Sequence, residues 1–307
     1  MENSNLITSS SQSEKHEEDD ELPKARFWDA MDITYWEGFW FDPGLVKPAM
    51  TFRSTFTARN DDVLLASTMK TGTTWLKSLA LCILRNDDVL ATDNPHFHLP
   101  TVEGVAYSTK PLLAAATAAP RLLHTHLPYS VLPDSLKTSP AAKIVYIARN
   151  PKDTLISMWH FFNSILRPFP LEAAVDCFCS GVHHYGPFFD HVAEYWIESR
   201  NRPEKILFLK YEELKNDPKS LVSKIAEFVG KPIGSEDEVE KILWKCSFER
   251  LKNLEVNKNG SVLVNVPNKS FFRKGEVGDW KNYLTPEMAE RIDQLSRDRH
   301  EAIGLFL

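Results

Sequence analysis

The chain has 307 residues, 43% hydrophobic and 25% charged, with a formal net charge of −6. These values sit near the averages for globular domains and exclude collagen-like, disulfide-scaffold and wholly disordered classes, while the length is enough for one large core. Residues 1–24 hold seven acids against two bases, a net −5 of the −6, so the rest is near neutral and offers no broad basic face for nucleic acid.

In chain order, the opening stretch is polar, serine-rich and ends in Glu17-Glu18-Asp19-Asp20-Glu21, without the apolar residues that offset ordering entropy. Residues 1–24 are therefore expected to form a disordered acidic tail, and residues 25–307 a single domain. No basic start leads into an apolar stretch and no segment approaches 18 apolar residues, so a cytoplasmic address is expected, with no membrane contact. Cys82, Cys177, Cys179 and Cys246 form no Cys-x-x-Cys pair and have no zinc spacing, which fits buried free thiols.

Short β-branched apolar runs predict strands at Val63 to Ser67, Arg121 to Thr125, Lys143 to Ala148 and Lys205 to Lys210. Apolar residues near a 3.6 period predict helices at Thr73 to Arg85, Asp153 to Leu166, Phe188 to Ser199, Lys219 to Val229, Glu236 to Lys245 and Pro286 to Gly304. This alternation predicts an α/β fold: a three-layer domain with a central, mostly parallel sheet flanked by helices. From Glu255 to Gly278 the pattern is aperiodic, and a stretch of that length predicts a functional lid.

Ligands of such sheets sit beyond the carboxyl ends of the strands. After the first strand comes Thr68-Met69-Lys70-Thr71-Gly72-Thr73-Thr74-Trp75, running straight into an apolar helix. Gly72 permits a tight turn, the helix start offers free N–H groups to an anion, the hydroxyls of Thr71, Thr73 and Thr74 add donors, and Lys70 adds charge. This P-loop-like stretch is not the nucleoside-triphosphate loop, because its lysine precedes the glycine; helix capping alone would also account for the threonines. After the third strand, Arg149-Asn150-Pro151-Lys152-Asp153 leads into a helix bearing Ser157, an arginine fork and hydroxyl suited to a dianionic phosphate or to an ordinary surface contact. Arg273-Lys274-Gly275, before Gly278-Asp279-Trp280-Lys281, is a third basic cluster.

Together these stretches resemble the cytosolic sulfotransferase family over residues from about Trp36 to the C-terminus, and Glu37-Gly38-Phe39-Trp40 and Tyr185-Gly186-Pro187-Phe188 resemble its plant-type members. The first matches the family's 5′-phosphosulfate loop, Tyr-Pro-Lys-Ser/Thr-Gly-Thr-Thr-Trp; Arg149 and Ser157 match its 3′-phosphate motif, and residues 273–281 its C-terminal motif. The resemblance implies transfer of a sulfuryl group from 3′-phosphoadenosine 5′-phosphosulfate (PAPS), with no metal, to a hydroxyl of a small-molecule acceptor such as a flavonoid, a steroid hormone or a similar plant metabolite. It implies that residues Lys70, Thr71, Gly72, Thr73 and Thr74 hold the 5′ side, and Arg149, Ser157, Arg273, Lys274 and Gly275 the 3′-phosphate. Adenine would stack between Trp75 and Phe248, with Tyr211 bonding toward the base; His126 would be the general base and Lys70 would stabilise the leaving oxygen.

Departures are Thr68 and Met69 in the first loop, and His124 where the family often has lysine or a small residue. Lys281, Thr285 and Glu290 match the family's dimer motif, but Pro286 replaces its valine and removes an N–H, so a monomer is expected. The acceptor cleft is expected near Phe39, Trp40, His98, Tyr107, Phe161, His183, His184 and Tyr185. A nucleotide kinase or an inactive nucleotide-binding protein using the same cradle stays open as an alternative.

Overall fold

The computed structural model describes residues 22–85, 88–104, 119–263 and 266–307. The expected tail up to residue 21 and Tyr107 lie outside these residues. The described chain starts with an antiparallel sheet of β1 (Lys24–Phe27), β2 (Met31–Trp36) and β3 (Phe39–Phe41). Lys24, counted into the tail by composition, is the first residue of β1. β1 and β3 are four and three residues long, too short for alternation to announce them, and the six residues of β2 bury Ile33, Thr34 and Trp36 without a period of two. Helix α1 (Pro43–Thr55) follows, its first turn capped by Asp42, which accepts from the Gly44 N–H at 2.8 Å.

Next come β4 (Asp62–Ser67), α2 (Thr73–Arg85), the short α3 (Pro95–His98), β5 (Arg121–Thr125), α4 (Asp134–Thr138) and β6 (Lys143–Ala148). Helices α5 (Pro151–Ile165), α6 (Leu171–Ser180) and α7 (Phe188–Asn201) precede β7 (Ile206–Lys210). Then follow α8 (Tyr211–Asn216), α9 (Pro218–Phe228), α10 (Glu236–Lys245), α11 (Phe248–Asn253), α12 (Glu255–Asn259), the hairpin of β8 (Ser261–Leu263) and β9 (Val266–Pro267), and α13 (Pro286–His300). The predicted helix at 153 begins earlier, at Pro151, because Asn150 caps it through the Lys152 N–H and proline suits a first helical turn.

The main sheet is parallel with the order β5-β4-β6-β7. Every residue of β4 is buried. Alternation divides the strands between two cores: Leu64, Ala66, Leu123, Ile144 and Tyr146 pack with α5 and α7, whereas Val63, Leu65, Leu122, Val145 and Ile147 pack with α2 and α9. The period of two along a strand sends neighbours to opposite faces, and helices cover both. Each fully buried Leu, Ile or Val of this kind contributes about 1.5–3 kcal/mol. At the amino ends of β4 and β5, Arg121 grips Asp62 through two bonds of 2.6 and 2.7 Å, both groups being buried. Removing one partner of such a pair leaves an uncompensated charge.

The stretch from Glu255 to Gly278 carries more structure than its lack of periodicity suggests. Besides α12 and the hairpin it includes a 3₁₀ turn, Asn268–Phe271, and a second, Asp279–Asn282, follows directly. Amides fasten it to the body: Asn94 donates to Asn257 at 2.7 Å, and Asn257 donates to the Leu251 carbonyl at 2.7 Å. Elements of two to five residues produce no period to read.

Candidate active site

A cavity of about 370 Å³ opens beyond the carboxyl ends of the parallel strands. Lys70, Gly72, Thr73, Thr74 and Trp75 reach it from the β4–α2 loop and α2, and His126 from the end of β5. Arg149 and Ser157 enter after β6, Tyr211 after β7, and Phe248 from the start of α11. Arg273, Lys274 and Gly275 close it from the C-terminal stretch. Of the residues expected to hold the cofactor or act in catalysis, Thr71 alone does not line it. Its buried hydroxyl bonds the carbonyls of Thr68, at 2.9 Å, and Ile147, at 3.1 Å, so it holds the loop on β6 instead of serving as an anion donor.

The loop is shaped by two left-handed residues, Lys70 at φ +68 and Gly72 at φ +109. Glycine is required at 72 for a second reason: a Cβ there would stand 2.8 Å from Cδ2 of Tyr211 and 3.1 Å from Cδ1 of Ile147. The Thr73 hydroxyl shares a 2.7 Å bond with Ser67, and that of Thr74 a 2.9 Å bond with His96. The Lys70 ammonium lies 4.1 Å from the centre of the Phe161 ring. Burial, reinforced by Arg149 and Arg273, brings its pKa from 10.5 down to about 7.

Arg149 packs its guanidinium 4.6 Å over the Tyr211 ring and donates to the Glu276 carbonyl at 2.7 Å, while its buried Nε has no partner. The Tyr211 hydroxyl donates to the Gly275 carbonyl at 3.1 Å. Gly275 in turn lies against Phe248, where a Cβ would stand 2.8 Å from the ring. The C-terminal cluster is clasped from below. Asp153, buried in the first turn of α5, accepts from the Gly278 N–H at 2.7 Å and the Trp280 N–H at 3.0 Å. Asp279 accepts from Arg273 at 2.5 Å and Lys274 at 2.6 Å, and these bonds hold its carboxyl well below the usual range despite burial.

His126 has its Nδ1 2.8 Å from the Ser67 carbonyl oxygen. A carbonyl only accepts, so Nδ1 carries the hydrogen and Nε2 the lone pair. Burial lowers the pKa of this ring to about 3. Its backbone is pinned by Glu103, a buried carboxylate that accepts from the His126 N–H at 2.7 Å and the Thr125 hydroxyl at 2.8 Å. His191 bonds the His126 carbonyl at 2.9 Å and Tyr146 at 3.1 Å. His124 is buried edge-on to His126, ring centres 4.7 Å apart, with neither nitrogen partnered.

Of the aromatics expected around an acceptor, Phe161 lines the cavity and Tyr185 lies 5.3 Å from the His126 ring. Phe39, His183 and His184 are packed in the interior, against His191, Phe178 and Phe162 respectively, and Trp40 packs on Tyr35. His98 is exposed beside Asp93 at 3.2 Å; the α3 histidine that reaches the cavity is His96, two residues earlier. His96, Glu103 and Asp153 went unread in the sequence. The only signal for Asp153 was an acid in a helix's first turn, and that residue more often serves the dipole.

The chain matches the sulfotransferase domain family over residues 60–304. Cytosolic sulfotransferase 12 of Arabidopsis thaliana is 39% identical over 298 residues, covering 92% of this chain and 91% of that protein. Cytosolic sulfotransferase 15 of the same plant is 41% identical, covering 93% and 85%. Among solved structures, an Arabidopsis thaliana protein assigned as a steroid sulphotransferase superposes with a TM-score of 0.76 at 31% identity over 99% of this chain and 100% of the other. Mouse sulfotransferase SULT7A1, complexed with PAP, superposes with a TM-score of 0.72 at 30% identity, covering 89% and 96%.

Proposed function

This chain belongs to the sulfotransferase family, in its plant-type cytosolic branch, and from that premise we propose that it moves the sulfuryl group of PAPS to a hydroxyl of a small plant metabolite of flavonoid or steroid type. The observation that carries the reading is the meeting of three basic stretches, separated by up to about 200 residues, in one cavity with a buried, unpartnered Arg149 Nε. A buried guanidinium nitrogen without an acceptor fits an anion that would complete it. At Gly72 and Gly275 a Cβ would collide with the rings of Tyr211 and Phe248, so glycine at both positions lets the backbone pack against aromatics that line the proposed nucleotide site. The mouse relative's complex with PAP supports the same cofactor class.

When bound, the nucleotide supplies the sulfuryl group. Arg149, Ser157, Arg273, Lys274 and Gly275 would hold its 3′-phosphate, and Thr73, Thr74 and the amides of the β4–α2 loop its 5′ end, with the ring faces of Trp75 and Phe248 taking the base. With Nδ1 tied to Ser67, His126 presents Nε2 to take the acceptor's hydroxyl proton, and an anion beside the ring raises its basicity from the value burial imposes. Lys70 would neutralise charge developing on the leaving oxygen. The apolar faces of Phe161, Phe271 and Met69 beside His126 support a flat or fused-ring acceptor. With Pro286 at the first position of α13, we expect a monomer.

The deciding experiment is calorimetry with adenosine 3′,5′-bisphosphate in the presence of a chelator. Binding and a raised melting temperature are expected, since a ligand of the folded state stabilises it by mass action. Binding that requires magnesium would favour a nucleotide kinase.

A further inference from the structure

His96 stands in the cavity with both ring nitrogens engaged. Its Nε2 is 2.9 Å from the Thr74 hydroxyl and its Nδ1 is 3.1 Å from the Lys77 ammonium, while Phe271 stacks on one face at 4.3 Å. Lys77 is buried and is itself anchored by a 2.6 Å bond to the Leu99 carbonyl. An ammonium has only donors, so Nδ1 must accept. Burial, with Lys77, His126 and Lys70 nearby, keeps the ring neutral, and a neutral ring has one N–H. That hydrogen is then on Nε2 and points at the Thr74 oxygen.

From this chain of donors we infer that His96 is a positioning residue: backed by Lys77, it donates to Thr74 and so leaves the Thr74 hydroxyl hydrogen directed at the anion held by the loop. The inference rests on the cofactor reading above. Without the Lys77 contact the ring can carry its hydrogen on Nδ1, and the hydroxyl then turns its own hydrogen toward Nε2 and presents a lone pair to an anion; without the ring nothing sets the hydroxyl's rotation. The histidine thus sets the polarity of a loop donor without touching the nucleotide, and Phe271 fixes the ring plane that makes this possible.

The test is calorimetry at pH 6.5, below the value of about 7 to which burial brings Lys77, with adenosine 3′,5′-bisphosphate and adenosine 3′-monophosphate, which lacks the 5′ group. His96→Phe keeps the stack on Phe271 and removes the donor. It should weaken the bisphosphate about twofold to tenfold, the range for one net hydrogen bond between neutral groups, and leave the monophosphate nearly unchanged. His96→Gln, whose amide can donate to Thr74, should recover most of the loss. Added to Thr74→Val, His96→Phe should cost nothing further, because the two act as one unit. Equal losses on both nucleotides, a folded Gln variant without recovery, or additive losses in the double variant would overturn the inference. Wild-type protein that binds neither nucleotide would overturn the cofactor reading itself, and the inference with it.

Discussion

Replacing Gly72 by alanine probes the loop proposed to hold the anion. Two costs can be worked from the geometry. At φ +109 an L-residue is strained by about 1–3 kcal/mol. The new methyl, 2.8 Å from Tyr211 and 3.1 Å from Ile147, adds an overpacking cost of about 1–3 kcal/mol. Tyr211 cannot swing away cheaply, because Arg149 lies on its ring at 4.6 Å, Trp75 meets it at 5.8 Å and its hydroxyl holds Gly275. Part of the strain should therefore pass to Arg149 and Gly275 and appear as weaker nucleotide binding. Gly230 is the control: its φ is +74 and a Cβ there meets nothing within 4 Å, so alanine should cost only about 1–2 kcal/mol. Urea denaturation of both variants, beside titration with adenosine 3′,5′-bisphosphate, is the assay. If Gly72→Ala costs no more than Gly230→Ala and binds the nucleotide like wild type, the reasoning about this loop is wrong.

Other expectations separate the roles of the site residues. His126→Ala should lose about 100- to 10,000-fold in kcat while still binding the bisphosphate; turnover near normal at saturation would move the base elsewhere, with His124 the first candidate. Arg149→Ala should instead weaken the bisphosphate by about 2–5 kcal/mol, and unchanged calorimetric affinity would remove it from the phosphate site. His126 is held to about 3 and His183, His184 and His191 to about 4 by burial, below the ordinary 6.5, so the unfolded chain binds protons that the folded one refuses. Stability present above pH 6.5 should fall as the pH drops from 6.5 toward 4, by up to about 1.4 kcal/mol per group per pH unit, and a melting temperature flat from pH 7 to 5 would contradict this. Lys70, at about 7 in the free protein, should gain a proton when phosphates bind at pH 8. Calorimetry in buffers of different ionisation enthalpy should show that uptake, and Lys70→Met should abolish it.

The sequence by itself determined the layered fold and marked the three basic stretches that the fold brings to one cavity. Strands β4 to β7 are long enough, and buried enough on both faces, to stand out as continuous apolar runs, and glycines beside basic residues mark where the backbone turns toward a ligand. It did not reveal the N-terminal sheet: β1 and β3 have only four and three residues, and β2, six long, buries Ile33, Thr34 and Trp36 in an order that follows no period of two and forms no continuous apolar run. What only the tertiary structure decided is which polar atom faces which. Asp153 holds Gly278 across 125 positions, Thr71 turns its hydroxyl inward to Ile147 across 76, and His96, rather than His98, meets Thr74. Local pattern reports which face of an element is apolar, because burial repeats with the element's own period. A hydrogen bond between distant segments has no period: it depends on how two backbones come to lie side by side, and that is set by the packing of the whole core.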